Sequence, residues 1–232
     1  GILRTTGKWE ILRNIFEQIV QPLKYLLIKI FVNIEGVAIF DFARNVYAFF
    51  ISIFPVSKTI FPIISRSIAD KEKIHLIVSK AKKYSFLSYL PMYVAVLIFT
   101  VPVLTYFFPQ YLGSQWVIYL VLLHFVSDVY KMGQSALLYA YNRQKFIFFI
   151  TPVFVFSQIV FDIVFVSTLG LVGIVLAWHT QALLSGYIYN YYIHKNIGIR
   201  HTPARYFFQY DSYDRLILSE IFRYIRRIFS RG

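Results

Sequence analysis

The sequence predicts an all-α fold: a polytopic membrane protein built as a six-transmembrane-helix bundle. Three observations carry that prediction. Of 232 residues, 58% are hydrophobic and 20% aromatic, while 15% are charged; soluble domains are about 25% charged. Six apolar segments lie near 19–33, 35–58, 84–108, 115–139, 146–168 and 171–193, and a helix needs about 20 such residues to cross a ~30 Å hydrocarbon core. The connections between the segments alternate between basic and uncharged. The apolar runs are continuous, as in FIFFITPVFVFSQIVF over 146–161, so a barrel is excluded, because its strands alternate apolar and polar residues.

The loop charges give the topology. Arg4, Lys8 and Arg13 precede the first span, and Arg66, Lys71, Lys73, Lys80, Lys82 and Lys83 lie between the second and third. Arg143 and Lys145 join the fourth to the fifth, and eight more cations run from Lys195 to Arg231. Of 24 lysines and arginines, 19 therefore fall on one side, while the connections near 33–34, 109–114 and 169–170 carry none. Positive residues stay cytoplasmic, so the expectation is a protein of the cytoplasmic membrane with both ends inside. The net charge of +13 is thus a topology signal and predicts no nucleic-acid partner.

Residues 1–18 read as a cytoplasmic amphipathic lead-in, 19–193 as the six-helix lobe and 194–232 as a basic cytoplasmic tail. Pro109–Ser114 is a turn-rich break. Leu169 to Gly173 closes the fifth span against the sixth almost without a loop, and Gly170 is placed to end a helix with positive φ. Two basic stretches are amphipathic. In 70–83, Ile74, Ile77, Val78 and Ala81 share one face and the lysines take the other; the favoured reading is a solvated charge run that sets orientation. In 215–229, Ile217, Ile221, Tyr224, Ile225 and Ile228 oppose Arg223, Arg226 and Arg227, a pattern that suits anionic lipid or a solvated run equally. The chain begins at Gly1 without an initiating methionine, which predicts a piece of a longer membrane protein.

Ionisable side chains within the spans are the candidate site, because lipid tolerates them only toward a partner, water or the bundle interior. By helical rise, Lys24, Asp41 and Arg44 fall in one layer of the outer half, ~10–15 Å below the uncharged end. Asp41 and Arg44 are i,i+3 neighbours on one helix face, as are Asp128 and Lys131 near mid-membrane. Asp162 and His179 match in depth and are expected to share a packing hydrogen bond. Each group has two readings: a neutralised pair that pins packing, or part of a cationic cavity that draws an anion. Lys24, Arg44 and Lys131 are the substrate-binding candidates, with Arg44 foremost because a guanidinium offers phosphate two parallel hydrogen bonds. Asp41, Asp128, Asp162 and His179 are candidates for charge pairing or ion coupling. Pro55 and Pro62, seven apart, are hinge candidates, since proline removes a backbone hydrogen bond and kinks a helix.

No catalytic constellation is present. The five histidines are scattered and no cysteine occurs, which excludes disulfides and thiolate chemistry. Neither an enzyme, a cofactor nor a metal is expected.

NIEGVAIFDFARNVYAFF (33–50), with Glu35, Gly36, Val37, Phe40 and Ala43, resembles the second helix of a lobe in the polysaccharide exporter and lipid-linked oligosaccharide flippase family. IFPIISRSIADKEKIHLIVSKAKKYS (60–85) is similar to that family's Phe-Pro, Ser-Arg helix end and basic link. Residues 138–145 and the Gly170–Gly173 pair are similar as well, and Asp162 stands where many members of the family carry asparagine. The resemblance covers roughly 20–193 and reaches the multidrug/oligosaccharidyl-lipid/polysaccharide superfamily. It implies one lobe of a two-lobe transporter, most simply the C-terminal one, pairing with a missing N-terminal lobe or a second copy. The implied function is transport of a lipid-linked oligosaccharide (a polyprenyl-pyrophosphate glycan) across the cytoplasmic membrane for surface polysaccharide. Membrane lipid and the lipid-linked glycan are the implied partners. The alternatives are a drug/cation antiporter of the same superfamily and a non-transport membrane scaffold.

Overall fold

The computed structural model describes residues 2–215 and Ser219. The amphipathic stretch expected over 215–229 falls outside the described residues beyond Arg215, apart from Ser219, as do the side chains of Arg4, Lys8 and Lys58. Among the described residues every regular element is helical: α1 (Ile2–Phe31), α2 (Ile34–Ser52), α3 (Val56–Arg66), α4 (Lys71–Phe107), α5 (Gln115–Leu122), α6 (Phe125–Lys131), α7 (Gln134–Ala140) and α8 (Gln144–Ile197), with 3-10 turns at Pro109–Ser114 and Ala204–Phe208. Two compact units result, Gly1–His201 and Thr202–Gly232. In the second, Asp211 and Asp214 each accept a hydrogen bond from the other's backbone N–H, at 3.1 and 2.9 Å.

Three helical stretches are long and apolar enough to cross a membrane: Lys71–Phe107, Pro109–Ala140 and Gln144–Ile197. The last has 54 residues, ~80 Å if straight, far more than one crossing needs. It is a hairpin. Gly170 has φ 57° and ψ −132°, and across it residue numbers rise on one arm as they fall on the other. Phe146 stacks on Tyr192 with centroids 3.5 Å apart, Phe154 meets Tyr189 at 5.4 Å, and Ser157 donates to Gln181 at 2.8 Å. Glycine is needed twice here. Gly170 takes a φ that strains any side chain, and a Cβ at Gly173 would sit 1.9 Å from the Phe165 carbonyl oxygen.

Two further hairpins share this logic. Asn33 caps α2, its side chain accepting from the Gly36 N–H at 2.6 Å, which closes α2 against α1. Tyr25 then reaches Asp41 at 2.5 Å and packs edge-on to Phe40. The 3-10 turn at Pro109–Ser114 returns the chain along α4, where Tyr93 donates to the Tyr119 carbonyl at 3.3 Å and Lys82 to the Tyr130 carbonyl at 2.8 Å. Each pass reverses the one before. The Gly170 turn lies beside Val32 (3.9 Å from its Cβ position) at one end. At the other, Tyr141 bonds the Ile68 carbonyl at 3.0 Å, and Lys71 Nζ lies 3.3 Å from where a Gly198 Cβ would be. The uncharged and basic connections thus gather at opposite ends, and the chain is an all-α polytopic membrane protein.

Several local expectations change. The expected second span, 35–58, ends early: α2 stops at Ser52 and Pro55 caps α3, because a proline pushes the preceding residue out of the helical region. The fourth span is not one helix. It tightens at Leu123–His124, where both residues keep helical φ and ψ, and breaks at Met132–Gly133, where Met132 is extended and Gly133 has φ 80°. The lysines of 70–83 do not form a uniformly solvated face either. Lys71 and Lys73 are exposed, but Lys80, Lys82 and Lys83 are buried. These positions lie on the continuous helix α4, which buries both Ile74 and Val78 and the lysine stems beside them, and long stems cover apolar surface well.

What holds the bundle differs along its length. Lipid tails give helices no hydrophobic reason to associate. The lipid-facing surface is accordingly apolar, with Phe99 62%, Phe149 65% and Phe156 69% exposed. The basic end holds an aliphatic core of Ile60, Ile64, Ile74, Leu138, Ile193 and Ile197, where burying each such side chain away from water stabilises by ~1.5–3 kcal/mol. Cations crowd that end: His201 is shifted below its ordinary imidazole value by desolvation, then by Lys82 and His75.

Candidate functional site

The tightened turn at Leu123–His124 and the break at Met132–Gly133 bound the seven-residue helix α6, and the candidate site surrounds it. Irregular backbone at membrane depth is tolerated where it is buried in protein or lines a cavity. A cavity of about 510 Å³ opens against α6 and α7, lined by Glu17, Tyr89, Asp128, Lys131, Gln134 and Tyr189 among others. A second, of about 430 Å³, adjoins it between α1 and the two arms of α8 and adds Gln21, Gln158 and Trp178. Both are lined by Glu17, Lys131, Phe154, Gln181, Ser185 and Tyr189. Lys131 therefore stands where they meet.

The polar lining is acceptor-rich and partly unsatisfied. Gln134 is 2% exposed and donates its amide to the Gly186 carbonyl at 2.9 Å, yet its own Oε1 has no hydrogen-bond partner among the described residues. Gln21 Oε1 is in the same condition. A buried amide oxygen without a donor is costly. Such an oxygen at a cavity wall is placed to accept from a hydroxyl or water. Gln181 and Ser185 extend the polar wall, and Phe154 and Tyr189 supply an aromatic one.

The structure sorts the ionisable residues into three groups. Lys131 lies 3.5 Å from Asp128, as i,i+3 spacing predicts, and Asp128 also accepts from the Tyr47 hydroxyl and sits 3.7 Å from His124. Arg44 lies 3.1 Å from Asp41, which further accepts from Tyr25 and Asn45, and the guanidinium covers the Tyr25 ring at 5.5 Å. Lys24 joins neither group. It pairs with Asp162 at 3.7 Å, both side chains almost wholly buried, and its ammonium lies over the Trp178 ring at 5.7 Å. Lys24 and Asp41 are level, since Tyr25, the next residue, reaches Asp41. But adjacent residues on a helix point ~100° apart, and Lys24 turns toward α8.

The expected Asp162–His179 pair does not form. Asp162 accepts from Gln158 at 2.8 Å and faces α1. His179 is on the face of the returning arm that meets α5, where its Nε2 bonds the Leu120 carbonyl at 2.9 Å and its Nδ1 lies 3.4 Å from Nδ1 of His124. The two side chains point in different directions around their helices. Of the cationic candidates, Lys131 lines the cavities, whereas neither Lys24 nor Arg44 is among their lining residues. Pro55 marks the α2–α3 junction and Pro62 lies inside α3.

Tyr47, Gln134, Gln158 and Gln181 were not singled out by sequence, and His124 read only as a core histidine. Their signal is polarity inside an apolar span, which is weak for uncharged side chains. Among the described residues no cluster of three or more His, Cys, Asp or Glu could hold a metal ion.

The model of the family described as lipid II flippase MurJ matches residues 8–229. No curated protein and no solved structure matches. The match supports a lipid-linked flippase and not the polysaccharide exporter branch in particular. It takes in both cavities and the Lys24, Arg44 and Lys131 ion pairs, and the chain belongs to the lipid II flippase MurJ family, whose members are transporters of lipid-linked precursors and not enzymes.

Proposed function

We propose that the chain moves a polyprenyl-pyrophosphate-linked glycan across the cytoplasmic membrane, with the basic end inside, as one lobe of a larger transporter or of an assembly of two copies. Lys131 carries the reading. It is the cation at the junction of two polar cavities, and its acidic partner, Asp128, is shared with Tyr47. An ammonium suits the diphosphate, and the unsatisfied Gln134 and Gln21 oxygens suit sugar hydroxyls. Arg44, a third exposed at its side chain, is a second diphosphate contact, while Lys24 is neutralised by Asp162. The drug/cation antiporter needs a buried carboxylate without a cation, and Asp128, Asp41 and Asp162 each have one.

Within this class the glycan is either the family's lipid II or a surface-polysaccharide precursor. Complementation separates them: the protein rescues cells depleted of their peptidoglycan-precursor flippase, or those lacking a surface-polysaccharide flippase. In the strain it rescues, Lys131→Ala and Arg44→Ala should abolish export at normal membrane abundance, and Arg44→Lys should restore it in part. Full export by an abundant Lys131→Ala protein would remove the cavity from the mechanism.

A further inference from the structure

The cavity lysine is wired to a pair of histidines, and counting protons along that line gives a role for it. The Leu120 carbonyl is only an acceptor, so Nε2 of His179, 2.9 Å away, must carry a proton. A neutral imidazole has one donor and one acceptor nitrogen. Nδ1 of a neutral His179 is then an acceptor, and the 3.4 Å contact to Nδ1 of His124 requires the proton on His124. Nε2 of His124 is left with a bare lone pair 3.7 Å from Asp128 Oδ1. A lone pair against a carboxylate is unfavourable. One more proton at that point turns the repulsion into an ion pair.

Burial and the Lys131 and Lys24 ammoniums disfavour a charge on His124, so the extra proton is held there only by the Asp128 carboxylate, and more firmly once an anion offsets Lys131. His124 is 2% exposed, stacked on Trp178 at 4.1 Å and met edge-on by Tyr47. The charged and titratable groups facing the line are Tyr47 from α2, Tyr89 from α4, Lys131 from α6 and Lys24 from α1, the last held over Trp178 and paired with Asp162 of α8. Asp128 is the junction. Tyr47 donates to Oδ2, so Oδ1 faces both Lys131 Nζ at 3.5 Å and His124 Nε2 at 3.7 Å.

We propose that His179, His124 and Asp128 form a proton-binding site coupled through Lys131 to anion binding in the cavity. A proton bound between His124 and Asp128 weakens the hold of Asp128 on Lys131 and frees the ammonium for an anion. An anion on Lys131 in turn leaves Asp128 free to hold the proton. The coupling is reciprocal, as linkage requires, and one proton enters with each anionic group. The anion half rests on the reading of Lys131 given above; the proton half does not.

Two measurements on the chain in lipid nanodiscs test the halves separately. The first is affinity for sulfate, whose charge is constant through the range where imidazole titrates. Sulfate should bind more tightly as pH falls, by about fivefold or more, the lower range of ordinary coupling between sites. His124→Gln and Asp128→Asn should each flatten that dependence. Sulfate binding that ignores pH in the unsubstituted protein would overturn the coupling and leave Lys131 as an anion site. The second is nitrogen NMR of labelled histidines. His124 and His179 should titrate as one linked pair, and Asp128→Asn should shift both signals while Lys131→Gln leaves them linked. Two imidazoles titrating independently, or unmoved by Asp128→Asn, would sink the proton site whatever sulfate does.

Discussion

Two lysine–aspartate pairs cross the middle of this bundle, and they differ in almost everything except chemistry. Lys24 and Asp162 lie 3.7 Å apart with side chains 3% and 2% exposed. Lys131 and Asp128 lie 3.5 Å apart with side chains 30% and 34% exposed. The first pair joins residues far apart in sequence, on α1 and α8, and is sealed by Trp178 and Gln158. The second lies within one short helix and opens on a cavity. Burial decides what each pair is for. Two desolvated charges hold one another and nothing else, so the dry pair fixes how α1 docks on α8. Two half-solvated charges are weakly held, so the wet pair can exchange partners.

The sharpest way to break the comparison is to remove one member of the dry pair. Asp162→Ala strands the Lys24 ammonium in a low-dielectric interior and should cost about 3–5 kcal/mol of stability. Thermal unfolding in nanodiscs reads this. The double change Lys24→Met with Asp162→Leu should recover most or all of it, because two packed apolar chains commonly match a buried ion pair. A double variant as unstable as the single one would mean that the site needs the charges themselves, and the contrast drawn here would fail.

Lys82 sharpens the same contrast. It too is buried, at 3% exposure, but its ammonium bonds the Tyr130 carbonyl and lies over the Tyr130 ring at 5.8 Å. Removing the charge leaves behind a carbonyl and not a stranded carboxylate. Lys82→Met should therefore be neutral or raise the unfolding temperature, the opposite of Lys24→Met, which leaves Asp162 unpaired. A loss from Lys82→Met as large as that from Lys24→Met would show that ammonium burial, and not the abandoned partner, sets the cost.

The sequence revealed the wet pair and hid the dry one for a physical reason. Asp128 and Lys131 are i,i+3, so helix geometry alone brings them together. Lys24 and Asp162 are also level when depth is counted from the uncharged turns, but depth is one coordinate and the angle around the helix is another. Only packing fixes that angle, and so Lys24 was grouped with Asp41, and Asp162 with His179. The hairpins were legible because glycine at 170 and the uncharged turns are local signals. The break after α6 was not, since Met132-Gly133 lies inside the segment 115–139, whose length and mean apolarity read as one span. The uncharged lining of the cavity, Gln21, Gln134, Gln158 and Gln181, leaves no trace in a charge pattern at all.

The smallest expected effect on stability belongs to the wet pair, and it tests the assignment most directly. Lys131→Met keeps an unbranched stem to pack beside Gly186, where Lys131 Cγ lies 3.0 Å from the position a Cβ would take, and removes only the charge. Half-exposed ion pairs contribute about 0–1 kcal/mol, so the unfolding temperature should barely move. Asp128 keeps Tyr47 as a donor and is not stranded. Transport in the complementation assay should nevertheless be lost, since the junction of the two cavities no longer offers a cation to a diphosphate, Arg13 lining the first cavity alone. Stability and transport falling together would place Lys131 with Lys24 as a packing residue. An unchanged fold that cannot transport is the result expected of a lysine held loosely enough to change partners.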